Sequence, residues 1–332
     1  MNHKEELGER RIIEIIQNQL DSMPKLPIPF GDDVSAYDIG NGNLAVLKTD
    51  MLVAKTDVPR GMSLWQAARK AVVMNVSDFA AKGVKPKVVL VSLGLPKGLN
   101  ENDIKQIGMG LNAGAREWDA YVIGGDTGEA SDLVISISLF GTARKRLLML
   151  RSGAKPGDIV AVTGFFGKSV AGLKILLGEF DASAEVRKVL VDSALMPHAR
   201  LKEGLALSRT KAITAAIDSS DGLAWSLHEI ARASNVGFVI NKLPIAEEAK
   251  PFARDNKLDT IELTLYGGEE YELVLTVKPA FWKKAQNAVE KVGGKLLQIG
   301  KAVAETQLIL EIDDKKKLIE PRGWEHFKSS NV

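Results

Sequence analysis

The chain has 332 residues, with 44 basic against 42 acidic side chains, so a net charge of +2 gives no electrostatic reason to expect nucleic acid or lipid as a partner. At 45% hydrophobic and 26% charged it is composed like a globular protein, and this length favours two domains over one undivided core. Cysteine is absent, which excludes disulfides, thiolate metal sites, iron–sulfur clusters and cysteine nucleophiles.

Residues 5–20 place Ile12, Ile13, Ile15, Ile16 and Leu20 among charges at helical spacing, predicting an amphipathic opening helix. The opening is too charged for a signal peptide, and no apolar stretch approaches the roughly 18 residues of a membrane span. The expectation is a cytoplasmic, unanchored protein. A proline-broken segment over 23–30 then forces extended backbone before Gly31-Asp32-Asp33. A strand is predicted over 44–53 and a long helix over 63–81, with Ser63 as N-cap and Gly83 closing it. A strand over 87–95, a helix over 100–118 and strands over 120–123 and 132–142 follow. Around 144–156 the sequence turns basic and turn-forming, and Gly157-Asp158 starts a new apolar strand over 159–163. The boundary is placed there, giving domains 1–145 and 146–332. Helices near 168–177, 184–193 and 201–208, a strand over 212–217, a helix over 222–234 and β segments at 237–240, 271–277, 295–303 and 307–312 complete the chain. The predicted class is α+β, with α and β mixed.

Both halves share one habit: a β segment ending in Asp beside Gly, Ser or Thr. Asp32-Asp33, Thr49-Asp50, Ser77-Asp78, Gly124-Gly125-Asp126-Thr127 and Asp218-Ser219-Ser220-Asp221-Gly222 put carboxylates at strand ends or helix edges, where they can converge on a cleft. Any one motif alone is as well explained by helix caps and turns; five together shift the balance. Oxygen ligands without sulfur or imidazole select a hard cation, and magnesium joins carboxylates to substrate phosphates while keeping several waters. His3, His198, His228 and His326 are scattered, so a histidine zinc centre is not expected.

Two phosphate-loop near misses can be set aside. Gly164-Phe-Phe-Gly167-Lys168-Ser169 lacks the glycine spacing of a Walker A loop and reads as a strand-to-helix turn. Gly108-Met-Gly110-Leu-Asn-Ala-Gly114 lies within a helical pattern and does not follow a strand, unlike a dinucleotide fingerprint.

With these residues in view, the chain closely resembles the thiamine-monophosphate kinase family. The motifs that carry the resemblance run in order: Gly31-Asp32-Asp33-Val34, Lys48-Thr49-Asp50-Met51, Asn75-Val76-Ser77-Asp78-Phe79-Ala80-Ala81, Gly124-Gly125-Asp126-Thr127, Arg151-Ser152-Gly153, Asp218-Ser219-Ser220-Asp221-Gly222 and Gly267-Gly268-Glu269-Glu270-Tyr271-Glu272-Leu273. That family belongs with aminoimidazole ribonucleotide synthetase, hydrogenase-maturation dehydratase and selenophosphate synthetase. The resemblance implies two domains of the aminoimidazole ribonucleotide synthetase-like type, with N-terminal strands forming a barrel across a homodimer and ATP bound between the domains. It implies direct transfer of the γ-phosphoryl of ATP onto thiamine monophosphate, without a phosphoenzyme, assisted by several magnesium ions.

Carried over position by position, the resemblance implies that Asp33, Asp50, Asp78, Asp126, Asp218 and Asp221 hold magnesium, with Thr49 and the backbone of Lys48 beside them. Asp78, Asp126 and Asp221 would bear most on catalysis. ATP would be touched by Asp33, Thr49, Gly125, Asp126, Arg151 and Ser220, and the acceptor by Asp57, Glu269 and Trp324. Taken without the family, Trp324 reads as a C-terminal packing residue, and a solvated charge in a basic linker is the alternative for Arg151. Two departures stand out: Asp57 occupies the place of a substrate-contacting histidine, and Glu270 that of a more usual aspartate. A carboxylate at 57 could attract a thiazolium cation, but it could not contact the acceptor's phosphate favourably without a bridging cation.

Two rival readings are kept. The first is another enzyme of the superfamily with a different acceptor; the missing cysteine disfavours the selenophosphate and hydrogenase-maturation types. The second is a catalytically silent ATP-binding dimer, disfavoured by the full set of aspartates.

Overall fold

The structure is a computed structural model and describes residues 7–178 and 180–327. His3 and the first residues of the predicted opening helix lie outside the described residues.

The first half runs α1 (Glu9–Gln17), β1 (Ser35–Asp38), β2 (Asn43–Val53), α2 (Ala54–Asp57), α3 (Leu64–Lys82), β3 (Pro86–Leu95), α4 (Glu101–Arg116), β4 (Tyr121–Glu129) and β5 (Val134–Arg144). Its strands form one five-stranded sheet in the order β1-β2-β5-β3-β4, antiparallel except where β3 meets β4. Period-two patterning sets its two faces: Leu44, Val46, Leu52, Ile135, Ile137 and Leu139 are buried. In the alternate positions, Leu47, Met51 and Leu90 stay exposed.

α3 forms where the sequence predicts it. The Ser63 hydroxyl accepts from the Gln66 amide, the Gln66 side chain accepts in return from the Ser63 amide, and Gly83 closes the helix at φ 67°. Fifteen of its nineteen residues are buried, so it is enclosed from all sides and not amphipathic. α4 opens in the same way, with Asn100 and Asp103 forming a capping box.

The second half contains β6 (Ile159–Val162), α5 (Lys168–Leu176), α6 (Ala184–Leu195), α7 (Leu201–Ser208), β7 (Ile213–Ser219), α8 (Leu223–Ser234), β8 (Gly237–Ile240), α9 (Ala249–Asp255), α10 (Thr260–Leu265), β9 (Glu272–Val277), α11 (Trp282–Glu290), β10 (Leu297–Val303), β11 (Leu308–Ile312) and β12 (Lys315–Leu318). Its seven-stranded sheet has the order β12-β11-β8-β10-β6-β9-β7. β7, at one edge, lies beside α3: the Lys82 ammonium donates to the Ala216 carbonyl at 2.7 Å, and the Ser77 hydroxyl to the Asp218 carboxylate at 2.6 Å. One hydrophobic cluster therefore takes residues from both halves, including Val76 and Phe79 of α3 with Ala216 and Leu275 of the second sheet.

Three differences from the sequence-based expectation are informative. β4 extends through Gly124-Gly125-Asp126-Thr127, which has no apolar alternation; parallel pairing with β3 carries it, and a Cβ at Gly125 would sit 1.8 Å from the Val91 carbonyl oxygen. β1 and β12 were not expected, since each is only four residues long and pairs at an edge. The short α9, α10 and α11 were likewise not predicted.

Candidate active site

The carboxylates meet where the two halves join. Asp33 arrives from the proline-broken segment, Asp78 from the fourth turn of α3 and Asp218 from the end of β7. All three are buried, and one oxygen from each lies within 4.8 Å of the others. A cleft of about 1190 Å³ opens over them, also lined by Lys48, Thr49, Arg151, Ser220, Asp221 and Trp324.

Three cations reach into this cluster. The Lys48 ammonium is 3.0 Å from Asp78 and 3.9 Å from Asp50. Lys82 contacts Asp32 at 2.7 Å and Asp33 at 2.8 Å, and the Arg151 guanidinium bonds Asp33 and reaches Glu229 at 3.2 Å.

Their compensation is uneven. Burial would raise the Asp33 carboxyl, but Lys82 and Arg151 outweigh it and hold Asp33 below the usual carboxylate range. For Asp78, burial dominates; Lys48 opposes it, the charges of Asp218, Asp33 and Asp50 add to it, and the group ends well above its ordinary value. Asp218 is raised to about 7, first by burial and then by Asp33, against the Ser77 hydrogen bond and Lys48. Asp221 is raised to about 6 by burial and by Glu9, with Arg10 and His326 opposing. Buried oxygens that repel one another and lack sufficient cations suit a hard divalent ion, which would supply the missing charge.

A second group lies at the far end of the α3 contact. The turn over 267–271 is hydrogen-bonded to the residues after Asp218: Glu269 donates from its amide to the Ser220 carbonyl at 2.6 Å, and Tyr271 to that of Ser219 at 2.9 Å. The Glu269 side chain pairs with Lys70 of α3. The Glu270 carboxylate accepts from the amides of Gly167 (2.6 Å) and Ser169 (3.1 Å) at the start of α5. Burial raises Glu270 to about 8 despite the Gly167 hydrogen bond. The C-terminal segment also closes on this region, with the Trp324 amide donating to the Asp221 carbonyl at 3.1 Å.

The fold thus gathers Asp33, Lys48, Thr49, Asp78, Arg151, Asp218, Ser220, Asp221 and Trp324 around one cleft, with Asp50 within reach of Lys48. It does not bring Asp126 there. That residue is exposed on edge strand β4, in register with Ser92, Ser136 and Met51 across the sheet, and so on the solvent-facing side three strands from β2. Gly125 packs against Val91 on β3, and that contact alone requires a glycine. The Asp57 carboxylate accepts from the Val53 amide at 2.7 Å, holding the single turn of α2.

Sequence reasoning assigned no role to Lys70, Lys82 or Glu229. A signal for the lysines was present in the Ala- and Val-rich runs beside them, since ammonium groups buried with those runs must find acceptors.

The chain matches the families described as AIR synthase related protein, N-terminal domain, over residues 31–143, and C-terminal domain, over 155–313. A thiamine-monophosphate kinase of Nitrosopumilus maritimus is 34% identical over 322 residues, covering 97% of this chain and 99% of that protein. The one from Pyrococcus horikoshii is 36% identical over 304 residues, covering 91% and 92% respectively. The solved structure of AaThiL complexed with AMPPCP and TMP has a TM-score of 0.84 to this fold at 31% identity, covering 98% of this chain and 99% of that one.

Proposed function

The chain belongs to the thiamine-monophosphate kinase family of AIR synthase related proteins, and from that premise we propose that it transfers the γ-phosphoryl group of ATP to the phosphate of thiamine monophosphate. The products are thiamine diphosphate and ADP. The observation that carries this reading is the convergence of Asp33, Asp78 and Asp218 on one buried point inside a cleft that also holds Arg151.

In the transfer, the bond from the γ-phosphorus to the β,γ-bridging oxygen breaks, and a bond to an oxygen of the acceptor's phosphate forms. That oxygen is already ionised, so no side chain has to remove a proton. Catalysis is then mostly positioning and neutralisation of charge, which suits a site rich in aspartates and without an evident general base. Magnesium fits the donor set: Asp33, Asp78 and Asp218 would hold it, with Asp50, Thr49, Asp221 and the Lys48 backbone at the margins. When bound it supplies the positive charge that a triphosphate and several carboxylates together require. Arg151, now paired with Asp33 and Glu229, has a planar fork suited to phosphate oxygens. Glu269 and Trp324 serve the acceptor, as hydrogen-bond acceptor and ring face respectively.

The proposal includes a cytoplasmic homodimer with two domains, 1–145 and 146–332. No described helix is long and apolar enough to cross a membrane. The exposed sheet face with Leu47, Met51 and Leu90, together with the adjoining edge strand β4, where Tyr121, Val122 and Ile123 are also exposed, suits a second copy of the chain. Asp126 belongs to this face, so its role as a metal ligand depends on that copy. Sedimentation equilibrium should give a dimer for the wild type and a monomer for Ile123→Glu; a wild-type monomer would refute this part.

The central test is incubation with ATP, magnesium and thiamine monophosphate. ADP and thiamine diphosphate should form one for one, with unphosphorylated thiamine a poor acceptor. ATP binding without turnover would favour a silent nucleotide-binding protein.

A further inference from the structure

Lys70 is fully buried in the middle of α3, away from the carboxylate cluster. An ammonium removed from water needs acceptors and an opposite charge. Lys70 draws them from the two halves of the chain: the Asp57 backbone carbonyl at 2.8 Å and the Glu269 carboxylate. Glu269 is held in a conformation that disfavours an ordinary side chain, with φ 62°, and Tyr271 beside it has φ 53°. Such a turn persists only when its surroundings over-determine it. Here the restraints are the two amide hydrogen bonds to Ser219 and Ser220 and the ion pair with Lys70.

The two oxygens of Glu269 differ. Oε1 takes the Lys70 ammonium, whereas Oε2 is buried with no hydrogen-bond partner among the described residues. A buried carboxylate oxygen without a donor is costly by itself, and the turn that carries it is hydrogen-bonded to Ser220, which lines the cleft; this marks a position prepared for a donor on a ligand. We propose that Lys70 is a positioning residue for the acceptor. It ties the 54–57 turn of the first half to the 267–271 turn of the second, and it balances Glu269 so that Oε2 can accept from an N–H group of an amino-substituted heterocycle. This rests on the kinase reading, whose acceptor carries an aminopyrimidine.

Steady-state kinetics of Lys70→Met, Glu269→Gln and the double variant test it. Lys70→Met should raise KM for thiamine monophosphate at least about tenfold while KM for ATP stays within about twofold. In the Glu269→Gln background the same change should alter KM for thiamine monophosphate by less than about threefold, because the two residues act as one unit. An unchanged KM for thiamine monophosphate, an equal rise for ATP, or additive effects would overturn the proposal. If Lys70→Met does not fold, Lys70→Gln, which keeps an amide donor for Asp57, is read by the same criteria. A wild-type enzyme inactive on thiamine monophosphate would refute the kinase reading separately. Crystal structures of the wild type and a folded Lys70 variant would then decide the role of Lys70, with a displaced Glu269 carboxylate expected and an unmoved one overturning it.

Discussion

The carboxylate pocket and the wall around Glu269 both bury charge, but they balance it differently. In the pocket, Asp33 is well compensated by Lys82 and Arg151, whereas Asp78, Asp218 and Asp221 are pushed upward, chiefly by burial. At the wall, Lys70 and Glu269 pair one to one, and the Asp57 carboxylate is engaged by the Val53 amide. The pocket is therefore a region that added cations complete, and the wall is largely preorganised by its own side chains. One fold can keep both because α3 contributes to each, with Lys70 in its middle and Asp78 near its end.

The sharpest way to break this contrast is Asp78→Asn. It removes an under-compensated charge from the pocket, so kcat should fall about 10³-fold while the melting temperature of the metal-free protein holds or rises. Retained activity would remove Asp78 from the metal site.

The next effect is on pH. Asp218 and Asp221 have folded-state values of about 7 and about 6 against an ordinary 3.8. Between pH 4 and 7 the unfolded chain gives up these protons before the folded chain does, so the folded state loses stability as pH rises. Metal-free protein should melt about 5 °C lower at pH 8 than at pH 5, and magnesium with a non-hydrolysable ATP analogue should narrow the gap. Asp33, held low, acts only below this window. A melting temperature that rises from pH 5 to 8 would contradict the imbalance.

A smaller loss is expected for Gly125→Ala, whose added Cβ meets the Val91 carbonyl oxygen; denaturant unfolding should show about 1–3 kcal/mol of destabilisation. The smallest concerns Asp57→Asn. Weakening the α2 cap should lower stability by about 1 kcal/mol, with KM for thiamine monophosphate changed less than about threefold. A tenfold rise in KM without a stability loss would instead place Asp57 on the acceptor.

Long elements were legible in the sequence because their signals are local. α3 carries its cap residue, its box partner and its terminal glycine within the segment, and β2 and β5 show their buried face by alternation. The full length of β4 is not legible in the sequence because the force that extends it is pairing with β3, which leaves no periodic trace in Gly-Gly-Asp-Thr-Gly. The aspartates of the site were legible as motifs, but their different electrostatic states were not. Asp33 and Asp78 look alike as letters; only the approach of Lys82 and Arg151 to one, and of Lys48 with three further carboxylates to the other, separates them.

The sequence by itself determined the family, the order of the acidic motifs and the exclusion of thiol chemistry, since these depend on residue identity and spacing alone. Tertiary structure decided which aspartates share a pocket, that Asp126 stands on edge strand β4, three strands from β2, and that Lys70 faces Glu269 across 199 positions. Coulomb interaction and burial depend on distance in space, which residues far apart in the chain acquire only when α3 is enclosed between the two halves.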